Sequence, residues 1–239
     1  MTILHVTDFH FHKRWFDWLL HHAPAHDLVV MSGDLLDLSI ATPHRRQIEW
    51  VSEWLNDFPR PICISSGNHD LEWDSETERW TPAYWLRSVS NPLVWADGRR
   101  VVLNNISFLN IGATTRPKGG DADVWVVHAP PTGTLVAQRS TGVDAGDPEL
   151  VGPIRRYSPR LVLSGHVHTP RHWREHGDGT LFLNPGRNAD APFPNHILID
   201  TETMNCRLIS APPEARDEPE FLTPASIDDE NVTATSAVA

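Results

Sequence analysis

The chain has 239 residues, 40% of them hydrophobic and 21% charged, ordinary values for a soluble globular protein with one sizeable core or two small ones. A net charge of −11 argues against an extended nucleic-acid surface, and no apolar run approaches the roughly 20 residues that cross a bilayer. Two cysteines, Cys63 and Cys206, are too few for a disulfide framework; with no secretory leader ahead of the first strand, they indicate a reducing cytoplasm.

Ile3–Thr7 reads as a buried strand, followed by a helix over Lys13–His22 that places Trp15, Trp18 and Leu19 on one face. "DLVVMSGD" is a second apolar run that ends in glycine and an acid. Thr42-Pro43 then reads as N-cap and first turn of a helix that packs through Ile48, Val51, Trp54 and Leu55. "PICISSGNHD" is a third run of the same design, and Pro82–Ser88 reads as helical. Val101–Leu103 and Ile106–Ile111 read as strands split by the turn signal Asn104-Asn105. "VWVVHAP" is a further strand, Pro148–Tyr157 a helix, and "LVLSGHVH" a fifth strand with a polar end. Thr180–Leu183, Ile197–Asp200 and Cys206–Ile209 complete the strand set. Helices and strands that alternate before a strand-rich half predict an α/β domain over residues 1–210 with partly parallel sheets. Residues 211–239 hold seven acids against Arg216 alone and four prolines, so they read as an acidic, disordered tail with −6 of the total charge.

Fourteen histidines are many for this length, and the tail contains none of them. Five apolar runs end in residues suited to metal or proton chemistry: Asp8-Phe9-His10, Gly33-Asp34, Gly67-Asn68-His69-Asp70, His128, and Gly165-His166-Val167-His168. Each alone reads as a turn or a structural histidine. Together they place one donor inventory at one end of a sheet, where α/β proteins collect ligands. Strand alternation would also put Asp8, His10 and His12 on one face. In an acidic protein, phosphate binding needs a concentrated local positive charge, which metal ions supply.

The order D-x-H, GD, GNHD, H, GHxH resembles that of the calcineurin-like metallophosphoesterases, nearest to members like the class III phosphodiesterases. The resemblance implies a four-layer α/β/β/α sandwich with two mixed sheets packed face to face. It implies one metal ion held by Asp8, His10 and His168 and a second by Asn68, His128 and His166, with Asp34 bridging them. Manganese is the first expectation for these two ions; iron, zinc or cobalt also suit a set without thiolate. It further implies in-line attack on phosphorus by a water activated between the cations, with His69 protonating the leaving alkoxide and Asp70 orienting its ring. Asp70 reads equally as a turn or helix cap, and His12 as part of the turn into the first helix. Weaker candidates are Asp37 as a partner of the bridging acid, Asn184-Pro185-Gly186 as a bordering loop, and Arg116, Lys118 and Arg187 as phosphate contacts. Trp73, Trp80 and Trp85 cluster after GNHD, where they would cap the site or pack.

The expected activity is a phosphodiesterase acting on a small nucleotide or related phosphoester, with no membrane partner. The alternatives are a phosphomonoesterase of the same family and a nucleotide- or metal-binding scaffold without turnover; the intact motif set argues against the scaffold. A serine/threonine phosphatase fits less well, since GNHD stands where that branch has GNHE. The sequence leaves the oligomeric state open.

Overall fold

Alternation along the first strand decides the layering. In β1 (Thr2–Val6), Leu4 and Val6 enter one apolar cluster while Ile3 enters another on the opposite face. The same split recurs in β2 (Leu28–Ser32) and β3 (Ile62–Ser65), where Val29, Met31, Ile62 and Ile64 face one way and Leu28, Val30 and Cys63 the other. The computed structural model describes residues 1–117 and 120–211. Lys118 and nearly all of the acidic tail therefore lie outside the described residues.

The remaining strands are β4 (Glu72–Asp74), β5 (Arg79–Thr81), β6 (Val94–Trp95), β7 (Arg100–Leu103), β8 (Ile106–Ile111), β9 (Val124–Val127), β10 (Leu161–Leu163), β11 (Arg174–Gly177), β12 (Thr180–Leu183), β13 (His196–Asp200) and β14 (Asn205–Ile209). They form two six-stranded mixed sheets in the orders β14-β13-β1-β2-β3-β6 and β11-β12-β10-β9-β8-β7, with β4 and β5 as a separate hairpin. Each sheet has four adjacent parallel strands: β1, β2, β3 and β6 in the first, β12, β10, β9 and β8 in the second. Antiparallel strands edge them, β13 and β14 on the first, β11 and β7 on the second.

Helices α1 (Lys13–His22) and α2 (His44–Asp57) cover the outer face of the first sheet, burying Trp15, Phe16, Leu19, Val51 and Leu55. Between the sheets, Ile3, Val30 and Cys63 meet Phe108, Val124, Val126, Leu161 and Leu183. On the far side, α3 (Val151–Tyr157) packs Ile154 against Trp125, Val162 and Phe182. Helix, sheet, sheet and helix are thus stacked in four layers, the sandwich that the motif resemblance implies. Among the described residues no helix is long and apolar enough to cross a membrane.

Several local expectations shift. The second helix starts at His44, with Pro43 rather than Thr42 at its N-cap and no side-chain cap. Gln47 ties this end down instead: its Nε2 donates to the carbonyls of Thr42 and Asp37, 2.8 Å each, and its Oε1 accepts from Asp37 N–H. Tyr84–Ser88 is a 3₁₀ turn, and Pro148–Leu150 is a 3₁₀ lead-in to α3. The Asn104-Asn105 turn is present with both residues at positive φ, 48° and 62°, as a tight hairpin of this twist requires.

Phe16 sits at the centre of the outer cluster, fully buried, with edge-on contacts to Phe9, Trp50 and Trp54 at 4.9, 5.3 and 5.1 Å between ring centroids. Phe16→Ala is expected to lower unfolding free energy by about 3–5 kcal/mol, read by urea denaturation.

Candidate metal centre

All five strand ends converge at the carboxyl edges of the two sheets. Asp8 and His10 follow β1, Asp34 follows β2, and Asn68 and His69 follow β3; His128, His166 and His168 come from the second sheet, after β9 and β10. The backbone does not continue extended past β1. Asp8, His10 and Phe11 have φ of 55°, 46° and 54°, so the alternation expected for Asp8, His10 and His12 ends at Val6. Asp8 and His10 reach the site by this coiling. His12 turns away to stack on Trp15, 4.7 Å between centroids. Asp34 (53°) and His166 (66°) share the left-handed conformation. Such residues are uncommon outside glycine and concentrate where surrounding structure over-determines them.

Glycines let the backbone approach the carboxylates. A Cβ on Gly67 would collide with the Asp34 carboxylate, and one on Gly165 with the Thr7 hydroxyl and the Asp8 carboxylate. The latter acid accepts the His166 N–H at 3.0 Å, and Asp34 Oδ1 accepts the His69 N–H at 2.9 Å.

Three groups of acid and imidazole have ligand atoms that all lie within 4.8 Å of one another: Asp8–His10–His168, Asp34–His128–His166 and His10–Asp34–His69. In the first, His10 Nε2 and His168 Nε2 face each other at 3.1 Å, and His168 Nε2 stands 3.4 Å from Asp8 Oδ1. In the second, His128 Nε2 lies 3.3 Å from Asp34 Oδ2 and 3.1 Å from Asn68 Oδ1. His128 Nδ1 donates to the Ser32 carbonyl at 2.8 Å, which aims Nε2 at the acids. Asp34 Oδ2 is also 3.5 Å from His10 Nε2, so one carboxylate oxygen faces donors of both groups.

The electrostatics fit a cation. Burial disfavours charge on Asp34, yet His128 and His10 hold its carboxyl well below the usual range. Burial likewise disfavours a charged His128, but the Asp34 and Asp8 carboxylates push it up to about 10, so the carboxylates favour positive charge at this point. His10 and His166 are pushed down to about 4, by burial above all, and thus present neutral, metal-ready nitrogens. Buried carboxylates, neutral imidazoles and an amide oxygen are the donor types that Mn, Fe, Zn and Co accept, and both cysteines lie in the inter-sheet core.

The contacts of Asp70 fit the turn-cap reading that the sequence also offered. The Asp70 carboxylate is fully buried and accepts the N–H groups of Leu36 (2.9 Å) and Gly67 (2.7 Å), which pins the GNHD turn to the GD loop. Burial and the adjacent Asp34 push it up to about 8. The ring of His69 meets other partners: its Nδ1 accepts Leu38 N–H at 3.1 Å and lies 3.6 Å from Asp37 Oδ1. Asp37, placed by sequence beside the bridging acid, therefore faces His69. Trp85 is buried and donates Nε1–H to the Asp70 carbonyl, whereas Trp73 and Trp80 pair across the β4–β5 hairpin and stay half-exposed.

Asn184 braces the GHVH loop, donating Nδ2–H to the carbonyls of Gly165 (2.9 Å) and Val167 (3.2 Å). Arg187 Nε donates to the Asp8 carbonyl at 2.9 Å, and its guanidinium lies over Trp15, so this arginine fixes the first turn. Arg116 is paired with Glu149. The cation that lines the cavity beside His10, His69 and His168 is Arg139, which sequence reading passed over. It carries no motif; Arg139 reaches the site because its backbone bridges to Pro170, just past GHVH.

Among solved structures, TT1561 of Thermus thermophilus superposes with a TM-score of 0.61 at 13% identity, covering 87% of this chain and 98% of that one. A structure described as a novel archaeal phosphodiesterase gives a TM-score of 0.52 at 18% identity, covering 87% and 99%. At these identities the likeness is one of fold. Among curated proteins the chain has no match. The profile of the calcineurin-like phosphoesterases matches residues 1–170, a stretch that takes in every strand end from Asp8 to His168, and the chain belongs to that family.

Proposed function

We propose that the chain is a binuclear metal-dependent phosphodiesterase that hydrolyses a small nucleotide or related diester. Family membership supports the coarser statement, a metal-dependent phosphoester hydrolase. The observation that carries the binuclear reading is Asp34, whose Oδ2 faces His128 from one group and His10 from another within 3.5 Å. In this reading Asp8, His10 and His168 hold one cation, Asn68, His128 and His166 the second, and Asp34 both. Cations held by these residues would supply an activated water and neutralise charge on the phosphoryl oxygens.

The rest is done by the chain's own groups. With Nδ1 occupied by Leu38 N–H, neutral His69 keeps its proton on Nε2, the nitrogen left for the cavity that this ring lines. To serve as the acid the ring would carry a proton on Nδ1 as well, giving up the Leu38 N–H and facing Asp37 Oδ1, 3.6 Å away, instead. His69 then donates from Nε2 to the departing alkoxide. Asp37 is itself held, accepting the N–H and hydroxyl of Ser39 at 2.8 and 2.6 Å. Arg139, at the rim of the same cavity, supplies a fixed positive charge to the anionic ester.

His69→Asn is expected to retain the full metal content while kcat on a diester with an unactivated alcohol as leaving group falls by about 10²–10⁴. Unchanged kcat excludes the proton-donor role. Asp34→Asn is expected to lose both metal equivalents in elemental analysis, whereas His12→Ala keeps them; two full equivalents in the Asp34 variant contradict the bridge. Asp70→Ala leaves two buried N–H groups without acceptors and is expected to lose roughly 2–6 kcal/mol in chemical denaturation.

A further inference from the structure

The proposed phosphoryl position has open space on two sides. One cavity, of about 370 Å³, is lined by His10, His69, His168 and Arg139. The other, of about 320 Å³, runs from His128 to the strand ends of β8 and β9 and on to the segment before α3. Asn68 and His166 line both, so the two spaces meet at the metal-facing donors.

The two differ in chemistry. The first is polar and holds the proposed proton donor, so the leaving alcohol departs through it. The second has a floor of Ile111, Val127 and Leu150, each nearly or fully buried in the outer core of the second sheet. Its walls are formed by Gly112, Ala113 and Thr115 and by Ala145–Pro148. Among the described residues, no lysine or arginine lines it. Its one acid away from the metal-facing donors, Asp147, has Oδ1 taken by the Glu149 N–H at 2.8 Å and would repel an anion. The walls are preformed: Ala113 N–H donates to the Ser66 carbonyl (3.0 Å), Asp147 N–H to the Pro130 carbonyl (2.7 Å), and Arg116 pairs with Glu149 across from one wall to the other. Beyond its metal-facing mouth this space offers a monoester's bare oxyanion no cationic side chain among the described residues, whereas a diester has a second substituent to fill it.

We propose that the second cavity is a specificity subsite for the retained arm of the diester, and that this arm is an uncharged, ring-sized organic group. The assignment rests on the phosphodiesterase reading above and adds the substrate class.

The test compares metal-reconstituted wild type with Ala145→Leu and Ala113→Leu, which add bulk at two lining positions that are not themselves proposed ligands. Bis-p-nitrophenyl phosphate retains an aryl arm and methyl p-nitrophenyl phosphate only a methyl; intrinsic reactivity cancels when their kcat/KM ratio is compared between variants. That ratio is expected to fall about tenfold in either variant, with the methyl ester hydrolysed within about twofold of wild type and metal content unchanged. As a binding readout, titration calorimetry should show phenylphosphonate held about tenfold more tightly than methylphosphonate by wild type, with the difference lost in Ala145→Leu. An unchanged ester ratio in folded variants, or equal affinity of wild type for the two phosphonates, overturns the subsite and leaves the hydrolase reading standing. No hydrolysis of either ester by wild type overturns both.

Discussion

Asp34 is the residue through which the parts of the site reach one another. Its carbonyl accepts the His10 N–H at 2.8 Å, its Oδ1 accepts the His69 N–H, and its Oδ2 stands between the imidazoles of His10 and His128. With only 2% of its surface exposed, this carboxylate cannot be solvated, so its charge must be matched by protein dipoles and cations. That requirement explains its neighbourhood. Gly67 lacks a side chain because the Asp34 carboxylate occupies the space, and Asp70 accepts the N–H groups of Leu36 and Gly67 because the loops either side of Asp34 must be held in contact.

Concentrating so many donors in one place strains the chain. Asp8, His10, Asp34 and His166 all stand at positive φ, a conformation costing L-residues about 1–2 kcal/mol each. The opposing stabilisation comes from the layers behind the site: the parallel strands that deliver these residues are buried on both faces, by the helices outside and by the other sheet within. A further bracing layer, formed by Asn184 under GHVH and Arg187 under Asp8, holds the coiled ends once the strands have ended. Rigid strands followed by braced, strained turns are a physical route to a preorganised set of ligands.

This division explains what the sequence discloses. Helix α1 is legible residue for residue, because Trp15 and Leu19 repeat at the helical period and nothing else competes over Lys13–His22. The strand runs are legible too, since two-sided burial writes continuous apolar stretches. The donors are legible because each follows such a run. What escapes is whatever depends on the path after the run. Alternation misplaces His12, because three nearby residues adopt positive φ. GNHD suggests a His69–Asp70 partnership by adjacency, while the fold turns Asp70 to backbone amides and brings Asp37 to His69 from 32 residues earlier. Arg139 has no sequence signature at all, since only a backbone bridge to Pro170 carries it to the rim. The edge strand β11 escapes for a different reason: Arg174, Glu175 and His176 face partly into solvent and show no apolar pattern.

The two proposed metal groups are unequal in origin, and this ties the site to the centre of the protein. The first sheet supplies Asp8, His10, Asp34 and Asn68, and the second supplies His128, His166 and His168. Each group combines donors from both, so the ligand spacing is set by how closely the sheets pack. That distance is fixed by an apolar seam, Ile3, Val30 and Cys63 against Phe108, Val126 and Leu163. Close-packed interiors transmit small changes in volume to their surroundings rather than absorb them. The seam between the sheets therefore bears on the proposed metal centre as the turns around it do, although none of its side chains comes from the motifs that announce the site.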